Sequence, residues 1–401
     1  MSLLQQLREL LGDRAVFETG TAGPPRVAPR DEEAAARIFA TAHRERWHIR
    51  VEGTGHWIAP DAPADLVLVT GQLNRVSYFD PADLVTTVGA GLPWAGLRDT
   101  LAEGGSWVAV DPPGLTRSVG SVVVTGTAGT LRTGYGNVRD HVLGLTLVTG
   151  DGRIVRAGGR VVKNVAGFDL AKLATGSFGA FGLVTSVTFR LRAVPRADVT
   201  LLATGPRDGL IADAQEIVTR GITPAALELI APAVLGGADW GLAVRLLGSG
   251  AEVAATRDAA RGAARAGFRE LDRDEGIQLW RSLVAGFTGA PITIRLGALL
   301  SSLDRMLDLV EHHLPDGWLS ATAAAGAIRW CGHTEIEKLR LLRHTAAQQE
   351  TPVTLERAPW PYRSALGHFG AYREGVGRLL SSLRTTFDPG HVLVVPVGEQ
   401  P

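Results

Sequence analysis

The chain has 401 residues and 41 basic against 41 acidic side chains, so no net field draws it to nucleic acid or a membrane surface. A length beyond ~250–300 residues requires more than one core. The single cysteine, Cys331, excludes an internal disulfide, a thiolate-held iron–sulfur cluster and a structural cysteine-type zinc site.

Hydrophobic residues at 45% and charged residues at 20% are those of a globular protein. A thiol with no bridge fits a reducing cytoplasm, and no run approaches the ~20 apolar residues of a membrane span. The opening MSLLQQLRELLGD reads as an amphipathic helix, not a signal peptide, with Ser2 and Gln5 in a capping-box pattern and Gly12 at its end. After Pro29, DEEAAARIFATAHRERW is a helix capped by Asp31. Strand HIRV, the corner EGTGHW and strands DLVLVT and LVTTVGA follow. PWAGLRDTLAEGG puts Pro93 in a first helical turn and Gly104 at its end. Small residues predominate in GSVVVTGTAG. HVLGLTLVTGDGRIVRAGG reads as a hairpin turning at Gly150-Asp151-Gly152. Near Pro195 the texture changes. To about residue 365, strands such as GLAVRLLGS, ITIRLGA and VTLER alternate with helices such as SSLDRMLDLVEHHL, in the βαββαβ rhythm of a ferredoxin-like α+β domain. The tail EGVGRLLSSLRTTFDPGHVLVVP is a helix stopped at DPG and a short strand.

Glycine in a strand or helix costs ~0.5–1 kcal/mol, so clusters of it need a reason. GTGHW, VGSVVVTGTAG and GSFGAFGLVT satisfy either tight packing of twisted sheets or the close approach of a large flat ligand, and three clusters in the first half favour the ligand. The window GGRVVKNVAGFDLAKLATGSFGAFGLVTSVTFRL concentrates rare residues, holding Lys163 and Lys172 of the chain's three lysines and Asn164 of its three asparagines. VGAGLPWAG is not a nicotinamide site. Gly96 falls two residues late for G-x-G-x-x-G, and Asp111, the candidate ribose partner, is followed by two prolines. No G-x-x-x-x-G-K-[ST] is present.

HIRVEGTGHW, LNRV, TTVGAGLPWAGL, DPPGLTRSVGSVVVTGTAG, YGNVRDHVLGLTLVTGDGRIVRAGG and the lysine-bearing window occur in order from about Pro29 to Leu191. Together they resemble the FAD-binding domain of the vanillyl-alcohol oxidase / p-cresol methylhydroxylase (PCMH) superfamily. The lysine-bearing window is most similar to FAD-binding subunits of bacterial glycolate oxidase. The resemblance implies a PCMH-type FAD-binding domain over 1–195, with subdomains of about 25–105 and 106–195. A ferredoxin-like α+β cap over 196–365 and a returning C-terminal helix over 366–401 would complete the fold. It also implies that Gly53, Thr54, Gly55, His56 and Trp57 meet the pyrophosphate. Gly120, Ser121, Thr125, Gly126, Ala128 and Gly129 would face the ribityl chain and flavin ring. Asp111, Pro112, Gly182 and Val184 would complete the cofactor set, and Lys163, with Asn164 and Asp169, would form a polar wall by the flavin. FAD is expected to be non-covalent, and His56 is the position for a covalent link of the kind some relatives carry.

Three departures alter local polarity: Glu52 where Arg is usual before the corner, Gly-Ser after Val119, and Gly176-Ser177-Phe178-Gly179 for the flavin-side GSEG. Oxidation of a 2-hydroxy acid needs an arginine clamp and a base. Relatives carry metal- and substrate-holding histidines where this chain has ATAAAGAIRWCGH, and the adjacent His312 and His313 read as surface helix residues with no metal-ligand spacing. Arg329, His333 and Arg357, with Arg295, are the candidates that could face the flavin, each against the alternative of a solvated or paired surface residue. The resemblance thus implies a cytoplasmic FAD subunit of a glycolate/D-lactate dehydrogenase complex, beside a second FAD-containing catalytic subunit and an iron–sulfur subunit. A stand-alone FAD-dependent alcohol or hydroxy-acid oxidase and a non-catalytic assembly subunit with a decayed FAD site are the alternatives.

Overall fold

The computed structural model describes residues 2–12, 15–17, 23–55, 61–114, 116–160, 168–370 and 375–395. The first unit contains α1 (Leu3–Leu11), β1 (Val16–Phe17), β2 (Arg26–Val27), α2 (Glu32–Glu45), β3 (Ile49–Glu52) and β4 (Leu66–Val69), its sheet running β1-β2-β4-β3. Local chemistry fixes both helices. Ser2 and Gln5 form the capping box of α1, and the Asp31 carboxylate accepts from Ala34 N at 2.7 Å to start α2.

The second unit contains β5 (Val76–Asp80), β6 (Val85–Gly89), α3 (Trp94–Glu103), β7 (Ser106–Trp107), α4 (Val119–Thr125), α5 (Arg132–Tyr135), β8 (Val142–Val148), β9 (Ile154–Gly158), α6 (Leu170–Ala174), β10 (Leu183–Arg190) and β11 (Arg192–Ala193). Its antiparallel sheet runs β5-β6-β10-β8-β9, and β8 and β9 form the hairpin around Gly150–Gly152. Pro93 is the N-cap of α3, one position before the helix proper. The valine-rich run 119–125, poor in helix propensity, is a helix because Ser118 caps it and Val119, Val122 and Val123 bury completely against the sheet.

The third unit doubles the expected motif. β12 (Ala197–Gly205), α7 (Arg207–Thr219), β13 (Ala226–Ile230), α8 (Pro232–Leu235), β14 (Trp240–Gly248), α9 (Gly250–Ala263) and β15 (Arg269–Glu270) give the order β15-β12-β14-β13. After α10 (Arg273–Gly289), the elements β16 (Ile292–Gly297), α11 (Leu303–His313), β17 (Trp318–Thr322), β18 (Ala327–Gly332), α12 (Ile336–Ala347) and β19 (Val353–Arg357) give β19-β16-β18-β17. Each is a ferredoxin-like 4-1-3-2 sheet, so the cap is two such motifs where the sequence suggested one. Antiparallel pairing of β13 with β17, through Glu228↔Thr322, Leu229↔Ala321 and Ile230↔Ser320, fuses them into eight strands. Helices α7, α9, α11 and α12 share one apolar core on one face, while α10 packs on the other through Trp280 and Leu283.

After α13 (Trp360–Leu366) and α14 (Val376–Phe387), the tail returns to the first sheet, where Ile49 bridges Leu393 in parallel. The buried Asp388 carboxylate fixes that return, accepting from Val392 N at 2.8 Å and Leu393 N at 3.1 Å. No helix among the described residues is long and apolar enough to cross a membrane. Asp388→Ala leaves two buried amides unpaired and is expected to cost ~1–3 kcal/mol, read as a lowered midpoint in urea denaturation.

Candidate functional site

A cleft opens between the first sheet and the second unit. One wall is the end of β3, Gly53–Gly55 and the returning Leu393–Val395. The other is α4 and the backbone from Phe178 to Val184. Gly55 and Gly179 adopt φ of +76° and +80°, and a side chain at either would project into open space. The amides of Thr54 and Gly55 find no acceptor among the described residues. The Thr70 hydroxyl, on the same wall, is buried without a hydrogen-bond partner. A mostly apolar slot with unspent amides at a glycine corner and one orphaned hydroxyl fits an extended dinucleotide that carries a diphosphate.

Gly53, Thr54, Gly55, Gly120, Ser121, Thr125, Gly182 and Val184 line this cleft together. Several of its glycines are bare for a second reason, because their missing Cβ faces protein. At Gly120 a methyl would lie 2.9 Å from Ala90 Cβ, and at Gly53 and Gly182 it would overlap Ser118 and the Val148 carbonyl. Gly126, Ala128, Gly129, Asp111 and Pro112 do not line it. Gly126 is the left-handed C-cap of α4. The Asp111 carboxylate accepts from Thr130 N and Leu131 N, both at 3.0 Å, and from Thr130 Oγ1 at 2.7 Å, holding the 129–131 turn. Asp111 and Pro112 instead line a separate groove between α3 and α10. His56, Trp57, Lys163 and Asn164 lie outside the described residues. Asp169 caps α6 and pairs with Lys172 at 3.2 Å, which accounts for that lysine as a helix-terminal partner.

Sequence reasoning missed Thr70, Ser118 and Leu393–Val395, and it named Phe178 only as a departure from the flavin-side GSEG. Phe178, at φ +54°, donates its amide to the Val124 carbonyl at 2.6 Å and sets its ring against His368 and Phe369, with centroids 4.0 and 5.0 Å away. A phenylalanine inside a glycine-rich turn was the available signal. Glu52, the unusual residue before the corner, pairs with both Arg26 and Arg50, so the cluster keeps a net positive charge.

A second concentration of polar groups lies where the cap sheet meets the second unit. Arg329 is 5% exposed. It donates to the Ala128 carbonyl at 2.6 Å and faces Glu356 at 3.4 Å, while Arg295 reaches the other Glu356 oxygen at 2.8 Å. Burial alone would push the Glu356 carboxyl up, but Arg329, Arg295 and Arg117 outweigh it and hold it below the usual range. Arg117 is lowered to about 9 by its own burial. Glu228 makes no salt bridge among the described residues, and burial raises it to about 8 against the opposing pull of Thr322 and Arg329. Of the other predicted candidates, His333 is exposed and Arg357 half-buried at the end of β19. His312 and His313 close α11, and no group of three metal-binding side chains occurs among the described residues.

Residues 25–158 match the family model described as FAD binding domain, and the chain carries an FAD-binding domain of that family, with FAD as its cofactor. Among curated relatives it is similar to glycolate oxidase subunit GlcE of Escherichia coli, with 38% identity over 141 residues, 33% of this chain and 40% of that protein. It is also similar to glycolate oxidase subunit GlcD of Bacillus subtilis, with 31% identity over 209 residues, 51% of this chain and 44% of that protein. The matches therefore span less than half of these relatives. The fold is that of p-cresol methylhydroxylase, solved with substrate bound, at TM-score 0.77 and 15% identity over 97% of this chain and 94% of that one.

Gly55→Val forces a β-branched residue to φ +76° and fills the corner, so FAD affinity is expected to fall at least ~10-fold. Thr70→Val removes one hydrogen bond and is expected to cost ~1 kcal/mol of affinity. Fluorescence titration of apoprotein with FAD reads both. Glu228 titrates higher when folded than when unfolded, so its contribution to stability is full below about 4.5 and is lost as pH rises through about 8. Glu228→Gln is expected to flatten that decline in denaturation midpoints between pH 5 and 9.

Proposed function

We propose that this chain is the FAD-carrying subunit of a 2-hydroxy-acid dehydrogenase acting on glycolate or D-lactate, in a complex with a second FAD-containing catalytic subunit and an iron–sulfur subunit. The observation that carries this reading is the cleft, with its unspent amides at Thr54 and Gly55 and orphaned Thr70 hydroxyl. The likeness to proteins named glycolate oxidase subunits supports the substrate class and the subunit role.

Bound FAD supplies a two-electron acceptor for the carbon–hydrogen bond of a hydroxy acid. The chain's own residues bind and shield it. Thr54 and Gly55 would present amides to the diphosphate and Thr70 a hydroxyl, while Phe178, its amide bonded to the Val124 carbonyl of α4, forms part of the opposite wall. One cysteine in 401 residues leaves no thiolate-held cluster in this chain. Electrons therefore leave through the flavin to a partner, a quinone or oxygen.

Anaerobic addition of glycolate or D-lactate to the isolated, FAD-loaded chain tests the assignment. Slow or absent bleaching of the flavin band is expected alone, with rapid bleaching when the chain is co-purified with its iron–sulfur and second flavin partners. Full-rate bleaching by the isolated chain would assign turnover to this chain and remove the need for a catalytic partner.

A further inference from the structure

The groove between α3 and α10 lies apart from the cofactor cleft and takes no part in it. Its floor is apolar, built from Leu97 and Leu101 of α3, Trp107 of β7, and Ile277, Trp280 and Val284 of α10. Arg98, Trp107 and Arg245 also border an adjoining depression that holds Val194, Pro195, Arg196 and Arg273, so the two run together as one open trough. Val194, just past β11, is 46% exposed there. The trough crosses from the second unit to the cap.

Its charge is one-sided. Five arginines border it, Arg98, Arg196, Arg245, Arg273 and Arg281, against Asp99, Asp111 and Asp198, in a chain whose basic and acidic totals are equal. Arg98 donates to Asp99 at 3.1 Å, and Arg245 donates twice to Asp198, at 3.1 and 2.6 Å. Arg196, Arg273 and Arg281 are exposed, and their side chains form no ion pair or hydrogen bond among the described residues. Arg273, Ile277 and Arg281 follow one another at four-residue steps along α10, so two unspent guanidinium groups stand ~12 Å apart with an apolar side chain between them.

We propose that this trough is the docking site for an amphipathic segment of a partner subunit, one that carries carboxylates ~12 Å apart on either side of bulky apolar side chains. The proposal rests on the reading of the chain as one subunit of a dehydrogenase complex, and adds where a partner is held and by what chemistry. Covering the apolar floor supplies affinity, and pairing carboxylates with the rim arginines selects the partner and sets its register. Tryptophan and arginine, the two side chains that dominate interface energetics, are both present. A small anion would meet one of these arginines and leave the floor in water. A lipid surface would meet the rim and miss the recessed floor.

Biolayer interferometry of the full, FAD-loaded chain against its second flavin and iron–sulfur partners tests the site. The double variant Arg273→Glu/Arg281→Glu changes two exposed side chains, so flavin content and unfolding midpoint are expected to match the wild type while affinity for the partners falls at least ~10-fold. Raising sodium chloride from about 0.05 to about 0.5 M is expected to weaken the wild type more than the double variant. Arg37→Glu, at an exposed arginine on α2, is expected to bind as the wild type does. Equal partner affinity in the double variant would overturn the docking site and leave the subunit reading standing, because wild-type binding measures that reading separately. No partner binding by the wild type would overturn both. Self-association of the chain alone, lost in the double variant, would give the trough to a second copy. Phosphatidylserine vesicles that retain the wild type and release the double variant would give it to a membrane, and either result would overturn the proposal.

Discussion

Arg329 joins the two halves of the molecule. From a central strand of the cap it donates to the Ala128 carbonyl, three residues beyond α4, and shares Glu356 with Arg295. Breaking a buried pair strands its partner, a loss of ~3–5 kcal/mol, so this contact is far costlier to remove than a surface ion pair. Its position gives it consequence. The segment that it grips continues from the helix walling the FAD cleft, and the 129–131 turn is held in turn by Asp111. Cofactor cleft and cap meet at this guanidinium, at the Gly134 amide bonded to the Ala225 carbonyl, and where Phe178 packs on His368 and Phe369.

The glycine clusters show why small residues are ambiguous witnesses. Gly55 and Gly179 are bare toward the cleft, whereas Gly53, Gly120 and Gly182 are bare because protein lies against them. Both demands arise from the same architecture, since a wall of exposed backbone must itself be packed tightly from behind. The Glu52 departure resolves in similar fashion. Arg26 and Arg50 flank that carboxylate, so the corner presents positive charge through neighbours instead of through the residue before the glycine.

Features fixed within a few residues were legible in the sequence: the Ser2–Gln5 box, the Asp31 cap and the hairpin at Gly150–Gly152. The ordered motifs also gave the FAD domain. What escaped depends on distant partners. The 119–125 helix has valines that favour strands and forms through burial and Ser118. The doubling of the cap is set by β13 meeting β17, a pairing with no local signature. Arg329 and Glu356, alternating with apolar neighbours in AIRWCG and VTLER, fit a solvated sheet face. That face is covered by the second unit, so the same alternation places charge in the interior.

The fused cap also explains why a polar chamber forms where it does. β13 and β17 are the second strands of their respective motifs, so their pairing sets two otherwise separate edges side by side. Glu228 comes from the first motif, and Ser320, Thr322 and Arg329 from the second. Neither motif alone holds an acid beside a guanidinium and two hydroxyls, because on a single ferredoxin-like sheet that edge ends in solvent. Joining the edges removes them from water and brings unlike side chains within reach of one another. The α10 link, crossing the same face, supplies the apolar lid that keeps Glu228 desolvated.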